Sequence, residues 1–376
     1  MRPGGTATVP ASPLPEAAAV SSPLPHRQFS PHPTSISRQS LGSPFHSRKA
    51  RSAFLAVACS LGLLTACTAP ADDSAHSSQN TTTGTAGSTE SSATRTISHA
   101  MGSTELGEEI TTVAALDRTV LDPAIALGLH VVGFTELQGG SEIPAYFGDD
   151  GEKYAGDAVS VGELNDPSLE KIAALKPDAI LSSKVRHEDL YERMSSIAPT
   201  VFSDSGGHGW KDSLRLVGEV ADKTEKADEL ITEYEERAAR IGDRVREKLG
   251  KNPSVTSVRF VDGPTRIYKD DSYIGVIFAD LGFARNDAST GTGFTTEISA
   301  EEIAKADADY IFTSAYGDND GEAAKTQEEF QRNPLWNQLK GEIHDVDDTI
   351  WMSAVGIYGA NEVLDDIAEY FEVDAD

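Results

Sequence analysis

Two cysteines have the most distinctive chemistry in this chain, because a thiol can be acylated, oxidised or metal-bound and the 376 residues contain no others. Cys67 follows basic residues between 48 and 51 and a largely apolar run of twelve residues from Ala53 to Leu64. Basic, apolar and small residues in this order are typical of a secretory signal peptide. Twelve residues are too few to cross a bilayer core about 30 Å thick, which disfavours a transmembrane helix. We therefore expect the sequence after Cys67 to work outside the cytoplasm.

The tetrapeptide at 64–67, Leu-Thr-Ala-Cys, resembles the lipobox of bacterial lipoproteins, in which the cysteine is diacylated and becomes the mature N-terminus. This resemblance implies that Cys67 is the lipidation site and that residues 1–67 are an N-terminal extension plus a signal peptide. It also implies a location at the extracytoplasmic face of the cell membrane, with a lipid anchor. Residues 68–96 are rich in Ser, Thr and Gly and predict a flexible linker.

The composition of the remaining sequence excludes several function classes. The net charge is −28, and the leader is basic, so the part after Cys67 is more acidic than the whole chain. Such an acidic surface disfavours binding to nucleic acid and adsorption to anionic lipid. The second cysteine, Cys59, lies in the leader, which leaves the folded part without disulfides or a cysteine-type zinc site.

Short apolar runs that alternate with helical patterns predict βα units and parallel sheets. This alternation runs over 97–222, which we expect to form an N-terminal lobe, and it restarts over 251–376, which we expect to form a C-terminal lobe. Between them, apolar residues recur with a period near 3.6 over 224–249, so the sequence predicts one long helix within 223–250. The prediction is an α/β protein of two lobes joined by that helix.

Several motifs resemble the substrate-binding proteins of bacterial ABC importers, in the family that captures iron(III)-siderophores, cobalamin and haem. The longest is the stretch 161–181, which reads VGELNDPSLEKIAALKPDAIL. Shorter matches are ALGL at 126–129, SIAPTV at 196–201, VRF at 258–260, NPLW at 333–336 and DD at 365–366. The resemblance covers nearly all of 97–371. It implies two Rossmann-like lobes in the arrangement of class III periplasmic binding proteins, which is chelatase-like, with the ligand in the cleft between them.

The function implied by this resemblance is ligand capture for import. We expect a membrane-anchored, extracytoplasmic and monomeric component of an ABC importer that binds a ferric siderophore and delivers it to the permease. The resemblance implies no enzymatic activity, no cofactor and no protein-held metal, since the siderophore holds the iron. No partnership with nucleic acid is expected.

Three alternatives remain open at this point. A haem or cobalamin receptor of the same fold is one, and His208 or Tyr316 could serve as an axial haem ligand. A chelatase-like enzyme is another, although the sequence has no Gly-x-Ser-x-Gly, Walker or His-Glu-x-x-His motif. A surface adhesin would not explain arginines at the ends of strands.

Arginines at predicted strand ends are the candidate anion ligands. Many ferric siderophore complexes are anionic, and the planar, many-donor guanidinium suits them better than a lysine. The expected ligand-binding arginines are Arg259, Arg266, Arg186 and Arg118. For each, a surface charge is the competing interpretation, and for Arg118 helix capping is a further one.

Aromatic residues in predicted loops are the second group of candidates, because rings can pack on flat catecholate or apolar siderophore parts. They are Trp210, Tyr273, Tyr316 and Tyr358. For Trp210, a place in the cleft wall and a place in the internal packing are both open interpretations.

Exposed acids are the candidates for docking to the permease, since the resemblance implies one acidic residue on each lobe that meets transporter arginines. Glu170 falls on the matching position of the first lobe. In the second lobe Val276 stands where an acid is expected, so Glu301, or alternatively Asp280, is the substitute.

Overall fold

The computed structural model describes residues 94–107, 109–136, 140–204, 206–317 and 321–376. Cys67, the leader and residues 68–93 of the expected linker therefore lie outside the described residues. The described part begins with an antiparallel hairpin of β1 (Arg95–His99) and β2 (Gly102–Leu106). Within the described ranges, no helix has the length and apolarity that crossing a bilayer would require.

Six strands form the sheet of the N-terminal lobe, which here means the described residues before the long helix. They are β3 (Thr112–Ala115), β4 (His130–Glu136), β5 (Val159–Glu163), β6 (Asp166–Pro167), β7 (Ala179–Ser183) and β8 (Thr200–Ser203). Their order across the sheet is β6-β5-β4-β3-β7-β8, and every neighbouring pair is parallel except β5 and β6. β7 and β8 are buried along their whole length, as expected of parallel strands covered on both faces.

In the described part of this lobe, six α-helices cover the sheet. They are α1 (Arg118–Ala126), α2 (Gly148–Ala155), α3 (Leu169–Leu175), α4 (Lys184–His187), α5 (Tyr191–Ser195) and α6 (Trp210–Ala221). The patterns predict α3 with the observed bounds. They predict the start of α1 at Asp122, whereas the helix begins at Arg118 because the Asp117 side chain accepts the Thr119 N–H at 2.9 Å and caps it.

The predicted bridging helix is present as α7 (Thr224–Leu249). Its buried residues, among them Ile231, Tyr234 and Ile241, repeat at helical spacing, and Gly250 ends it in a left-handed conformation with φ 67°. The ring of Tyr234 packs edge-on against Trp210 at the start of α6, with 5.1 Å between centroids. The bridging helix is thereby joined to the N-terminal lobe by aromatic packing.

The C-terminal lobe, the described residues after α7, has a second six-stranded sheet. Its strands are β9 (Ser254–Phe260), β10 (Thr265–Tyr268), β11 (Ala284–Arg285), β12 (Thr295–Ile298), β13 (Tyr310–Ala315) and β14 (Glu342–Asp345). The order is β12-β10-β9-β13-β14, with β11 also paired to β9. β9, β13 and β14 are parallel, whereas β10 and β12 run antiparallel. The two-lobed α/β prediction is confirmed.

Three helices belong to this half of the chain: α8 (Tyr273–Asp280), α9 (Glu322–Arg332) and α10 (Ile357–Tyr370). A single π-helical turn, Thr349–Ser353, precedes α10. α10 contacts both lobes, because Tyr358 near its start packs edge-on against Phe147 and Phe371 at its end packs against Tyr310. The last helix therefore adds non-covalent contacts to the covalent bridge of α7.

Candidate ligand-binding cleft

A cavity of about 580 Å³ lies between the two lobes. From the N-terminal lobe it is lined by Asp117, Arg118, Thr119, Leu164, Val185, Arg186, Gly206, Gly207 and His208. From the C-terminal lobe it is lined by Arg259, Arg266, Tyr268, Asp271, Tyr273, Ile274, Gly293, Phe294, Met352 and Val355. Several of these residues follow the carboxyl ends of β3, β7 and β8, where ligands bind in open α/β sheets. All four arginines expected from the sequence, and Tyr273, are among them.

Arg259 is held in a buried two-point ion pair. Its Nε donates to Oδ1 of Asp348 at 2.6 Å and its Nη2 donates to Oδ2 at 2.5 Å. Ser353 Oγ lies 3.2 Å from Nη2, Tyr268 OH lies 3.3 Å from Nη1, and the Tyr316 ring lies 4.9 Å away. Burial lowers the pKa of Arg259, but the contacts with Asp348 and Tyr268 outweigh it, so the pKa lies above its ordinary value. Its charge is thus largely neutralised before any ligand arrives.

Asp348, the partner of Arg259, was not expected from the sequence, and it does not itself line the cavity. Its side chain is 5% exposed and also accepts a hydrogen bond from Ser314 Oγ at 2.9 Å. It lies 89 residues after Arg259 in the chain, in a run of acids that carries no distinguishing local signal. Asp348 can be identified only in the folded structure, where the segment after β14 lies beside β9 and β13.

Arg118 and Arg266 are different, because neither makes an ion pair or side-chain hydrogen bond within the part of the chain that the structure describes. Arg118 is the first residue of α1, where the positive end of the helix dipole disfavours a cation. Burial lowers its pKa, and the nearby charge of Arg259 on the other lobe lowers it further, although Tyr146, Tyr316 and Asp117 act in the opposite direction. Helix capping therefore does not account for the position of Arg118 at the start of α1.

Arg186 makes a longer contact with the same wall. Its Nε lies 3.5 Å from Oδ2 of Asp117, and its side chain is 46% exposed. The neighbouring His187 is buried, with Nδ1 2.6 Å from Ser182 Oγ and Nε2 2.7 Å from the Leu164 carbonyl. Burial lowers the pKa of His187, so we assign it a structural role that holds α4 at the cavity edge.

Tyr273 is the aromatic candidate that the structure places in the cavity wall. Its side chain is nearly buried, and its hydroxyl donates to the Gly356 carbonyl at 3.0 Å. Trp210 is a correction: it is fully buried between Tyr234 and Tyr273 and has no surface to offer a ligand. Packing determines its place because α6 begins there and turns the indole into the core.

Tyr316 and Tyr358 are the other two aromatic candidates, and neither is part of the cavity wall. Tyr316 is 46% exposed beside Arg259, and the hydroxyl of Tyr358 donates to Asp150 in α2 at 2.6 Å. The wall instead contains Tyr268 and Phe294, whose rings pack edge-on at 5.3 Å. Phe294 is 49% exposed, and Gly293 before it has φ +99°. The Gly-Thr-Gly sequence at 291–293 is therefore the feature from which this loop could have been identified in the sequence.

A family model described as periplasmic binding protein matches residues 113–341. The chain belongs to the periplasmic binding protein family. The match spans both lobes and includes the bridging helix, in agreement with the fold.

Relatives of this periplasmic binding protein are named as siderophore-binding proteins. It is 36% identical over 295 residues to a probable siderophore-binding lipoprotein, YfiY, of Bacillus subtilis, an alignment that covers 75% of this chain and 89% of the relative. It is 31% identical over 268 residues to the achromobactin-binding periplasmic protein of Dickeya dadantii, covering 68% of this chain and 85% of that one. The crystal structure of Staphylococcus aureus SirA complexed with staphyloferrin B matches with a TM-score of 0.66 at 28% identity, covering 75% of this chain and all of SirA.

The expected docking acids of this periplasmic binding protein lie on its surface. Glu170 is exposed in the first turn of α3, and Glu301 is exposed in a 3₁₀ helix, Ala300–Ala306. Asp280 is less available, because it accepts hydrogen bonds from Lys211 Nζ at 3.0 Å and from Tyr234 OH at 3.1 Å.

A metal ion held by the protein itself would need several donor side chains grouped together. In the described residues, no three or more His, Cys, Asp and Glu side chains are placed to hold a metal ion. His208 is exposed and lines the cavity, apart from any such group.

Proposed function

We propose that this periplasmic binding protein captures an iron(III)-siderophore complex in the cleft between its lobes and delivers it to the permease of an ABC importer. The observation that carries the proposal is the pair of arginines, Arg118 and Arg266, that line one cavity from opposite lobes and have no ion-pair partner among the described residues. An anion bound between them would be contacted by both lobes at once.

The energetics favour such a ligand. A hydrogen bond between a guanidinium and an anionic oxygen contributes about 1.5–3 kcal/mol when buried. The exposed ring of Phe294 and the wall formed by Tyr273 and Met352 offer apolar surface to the organic part of the complex. Polar anchors within a mostly apolar lining are typical of small-molecule sites.

The relatives support the same ligand class, since they are named for siderophores or, in another B. subtilis relative at 30% identity, for Fe(3+)-citrate. The family consists of binding proteins, and we infer that this chain likewise binds and releases its ligand without chemistry. We propose that it acts as a monomer with lobes 97–222 and 251–376 around a bridge at 223–250.

Anchoring and docking complete the proposal. Lipidation of Cys67 would keep the protein at the extracytoplasmic face of the cell membrane, and residues 68–96 would serve as the tether. Glu170 on one lobe and Glu301 on the other would meet arginines of the permease. The anchored protein would then deliver its ligand to the permease without diffusing away from the membrane.

Intrinsic fluorescence tests the ligand class. Trp210 packs against Tyr273, which lines the cavity, so ligand binding should quench its emission. Saturable quenching by a ferric siderophore, with none from a ferric chelate of unrelated shape such as ferric nitrilotriacetate, supports the proposal. Absence of quenching by every ferric siderophore in a broad panel, with a folded protein by circular dichroism, contradicts it.

Haem is the second candidate, because His208 is exposed on the cavity wall where an axial ligand would be needed. A Soret band that shifts on addition of haemin and is lost in His208→Ala would favour haem. Quenching by a ferric siderophore that is unaffected by His208→Ala would exclude that role.

A further inference from the structure

The net positive charge of the cleft is smaller than its four arginines suggest, because two of them are paired with carboxylates. Arg259 is already matched by Asp348 in the buried two-point pair. Arg186 is matched, at 3.5 Å, by Asp117. These two pairs contribute little net charge to the cavity.

Three charged groups of the wall remain. Arg118 and Arg266 have no ion-pair partner among the described residues, and Asp271 supplies one opposing charge. Asp271 is exposed, and its Oδ2 accepts the Gly293 N–H at 2.7 Å, so its carboxylate is held beside the cavity. Two cations against one anion leave a single positive charge.

One more acid lies behind this wall. Asp122 is buried near Tyr273, where it accepts backbone N–H groups at the start of α10. Burial disfavours the ionised form of Asp122 and raises its pKa, and the residue does not line the cavity, so we do not count it with the charges of the wall.

The charge of the bound ligand follows from this balance. A triply charged complex would exceed the open guanidinium charge and would be repelled by the carboxylate of Asp271 in a region partly shielded from water. A neutral complex would leave Arg118 and Arg266 desolvated without an anion. We infer that the preferred ligand is a ferric complex with a single net negative charge and an apolar portion, an inference that rests on the proposed function.

Three ferric complexes of known charge test this. One is a neutral cyclic trihydroxamate, the second is a singly charged complex of two hydroxamates and one α-hydroxycarboxylate, and the third is a triply charged tricatecholate. Fluorescence titration of the whole chain should give the lowest dissociation constant for the singly charged complex, by about tenfold or more. Tightest binding of the neutral or the triply charged complex overturns the inference and leaves the proposed function standing, whereas no binding of any complex contradicts the proposed function itself.

A charge variant separates electrostatics from shape. In Asp271→Asn the amide oxygen can still accept the Gly293 N–H, while the cavity gains one positive charge. The ratio of dissociation constants should then shift toward the triply charged complex by about three- to tenfold. Asp262→Asn makes the same change on an exposed loop residue outside the cavity and should leave the ratio unchanged. An unchanged ratio in Asp271→Asn, or an equal shift in both variants, overturns the inference.

Discussion

The carboxylate of Asp122 accepts the backbone N–H of Ile357 at 2.7 Å, across 235 residues of sequence. Its other oxygen accepts the Tyr358 N–H at 3.1 Å, so a residue of α1 in the N-terminal lobe caps the start of α10. A Cβ at Gly356 would lie 2.0 Å from the carboxyl carbon of Asp122, which allows only glycine there. This contact ties the last helix to the first lobe.

The first prediction concerns the pH dependence of this contact. Burial raises the pKa of Asp122 to about 7 from 3.8, although the backbone N–H groups of α10 lower it in part. Because the folded state then holds the proton more tightly than the unfolded chain, Asp122 favours folding below about pH 4, and this contribution is lost as the pH rises through about 7. Relative to Asp122→Asn, the wild type should lose on the order of 4 kcal/mol of unfolding free energy between pH 4 and 8. Urea unfolding of both proteins measures this, and a constant difference across that range would contradict it.

The second prediction concerns the two unpaired arginines. Arg118→Gln and Arg266→Gln should each weaken binding of the ferric complex by about 1.5–3 kcal/mol, since each removes a charged donor to the ligand. Circular dichroism should show an unchanged fold, because neither arginine has a protein ion-pair partner among the described residues. Arg332→Gln is the matched control, because Arg332 is exposed and pairs with Glu328 on the same helix, outside the cavity. Wild-type dissociation constants in both variants would remove these residues from the site.

The third prediction concerns the contribution of the Arg259–Asp348 ion pair to the stability of the fold. Arg259→Ala leaves Asp348 buried and unpaired, which should cost about 3–5 kcal/mol of unfolding free energy. The double variant Arg259→Ala/Asp348→Ala removes both charges and should recover part of that loss. Urea unfolding of the two variants measures the difference. Equal stability of Arg259→Ala and the wild type would show that the pair is not needed for the fold.

The fourth prediction concerns delivery to the permease. Glu170→Ala should leave ligand affinity unchanged and reduce uptake of radiolabelled iron by whole cells, because Glu170 is exposed at the start of α3 and away from the cavity. Glu192→Ala, at an exposed acid of α5 on the same lobe, serves as the control. Equal uptake by both variants and the wild type would exclude Glu170 from docking.

The fifth prediction concerns the anchor. Cys67→Ala removes the thiol that lipidation requires, so the protein should move from the membrane fraction to the soluble extracytoplasmic fraction. Immunoblots of fractionated cells, together with metabolic labelling by a fatty-acid analogue, measure both effects. Retention in the membrane fraction without label would show that something other than Cys67 holds the protein there.

Much of the architecture was predictable from local patterns. The period of apolar residues predicts α7 with the observed bounds, since a helix buries a stripe of its own sequence. The strands predicted at 111–116 and 179–182 end shortly before Arg118 and Arg186, and Arg266 lies in the strand predicted at 265–268. Their gathering at one cleft follows once these strands are parallel or paired.

The burial of individual side chains and the pairing of charged ones were not predictable from local patterns. The tertiary structure decided that Trp210 lies in the core, because the direction of an indole at the start of a helix depends on what packs opposite it.

The sequence by itself determined the two α/β lobes and the bridging helix, because both depend on neighbouring residues or on periodicity. Its resemblance to a known family indicated which arginines to expect near the cleft. Only the tertiary structure decided which of those arginines are already paired with a carboxylate. Asp348 and Arg259 are 89 residues apart, and their ion pair exists because two separate segments meet behind one cavity wall. Electrostatic neutralisation depends on distance in space, which the order of residues in a chain does not record.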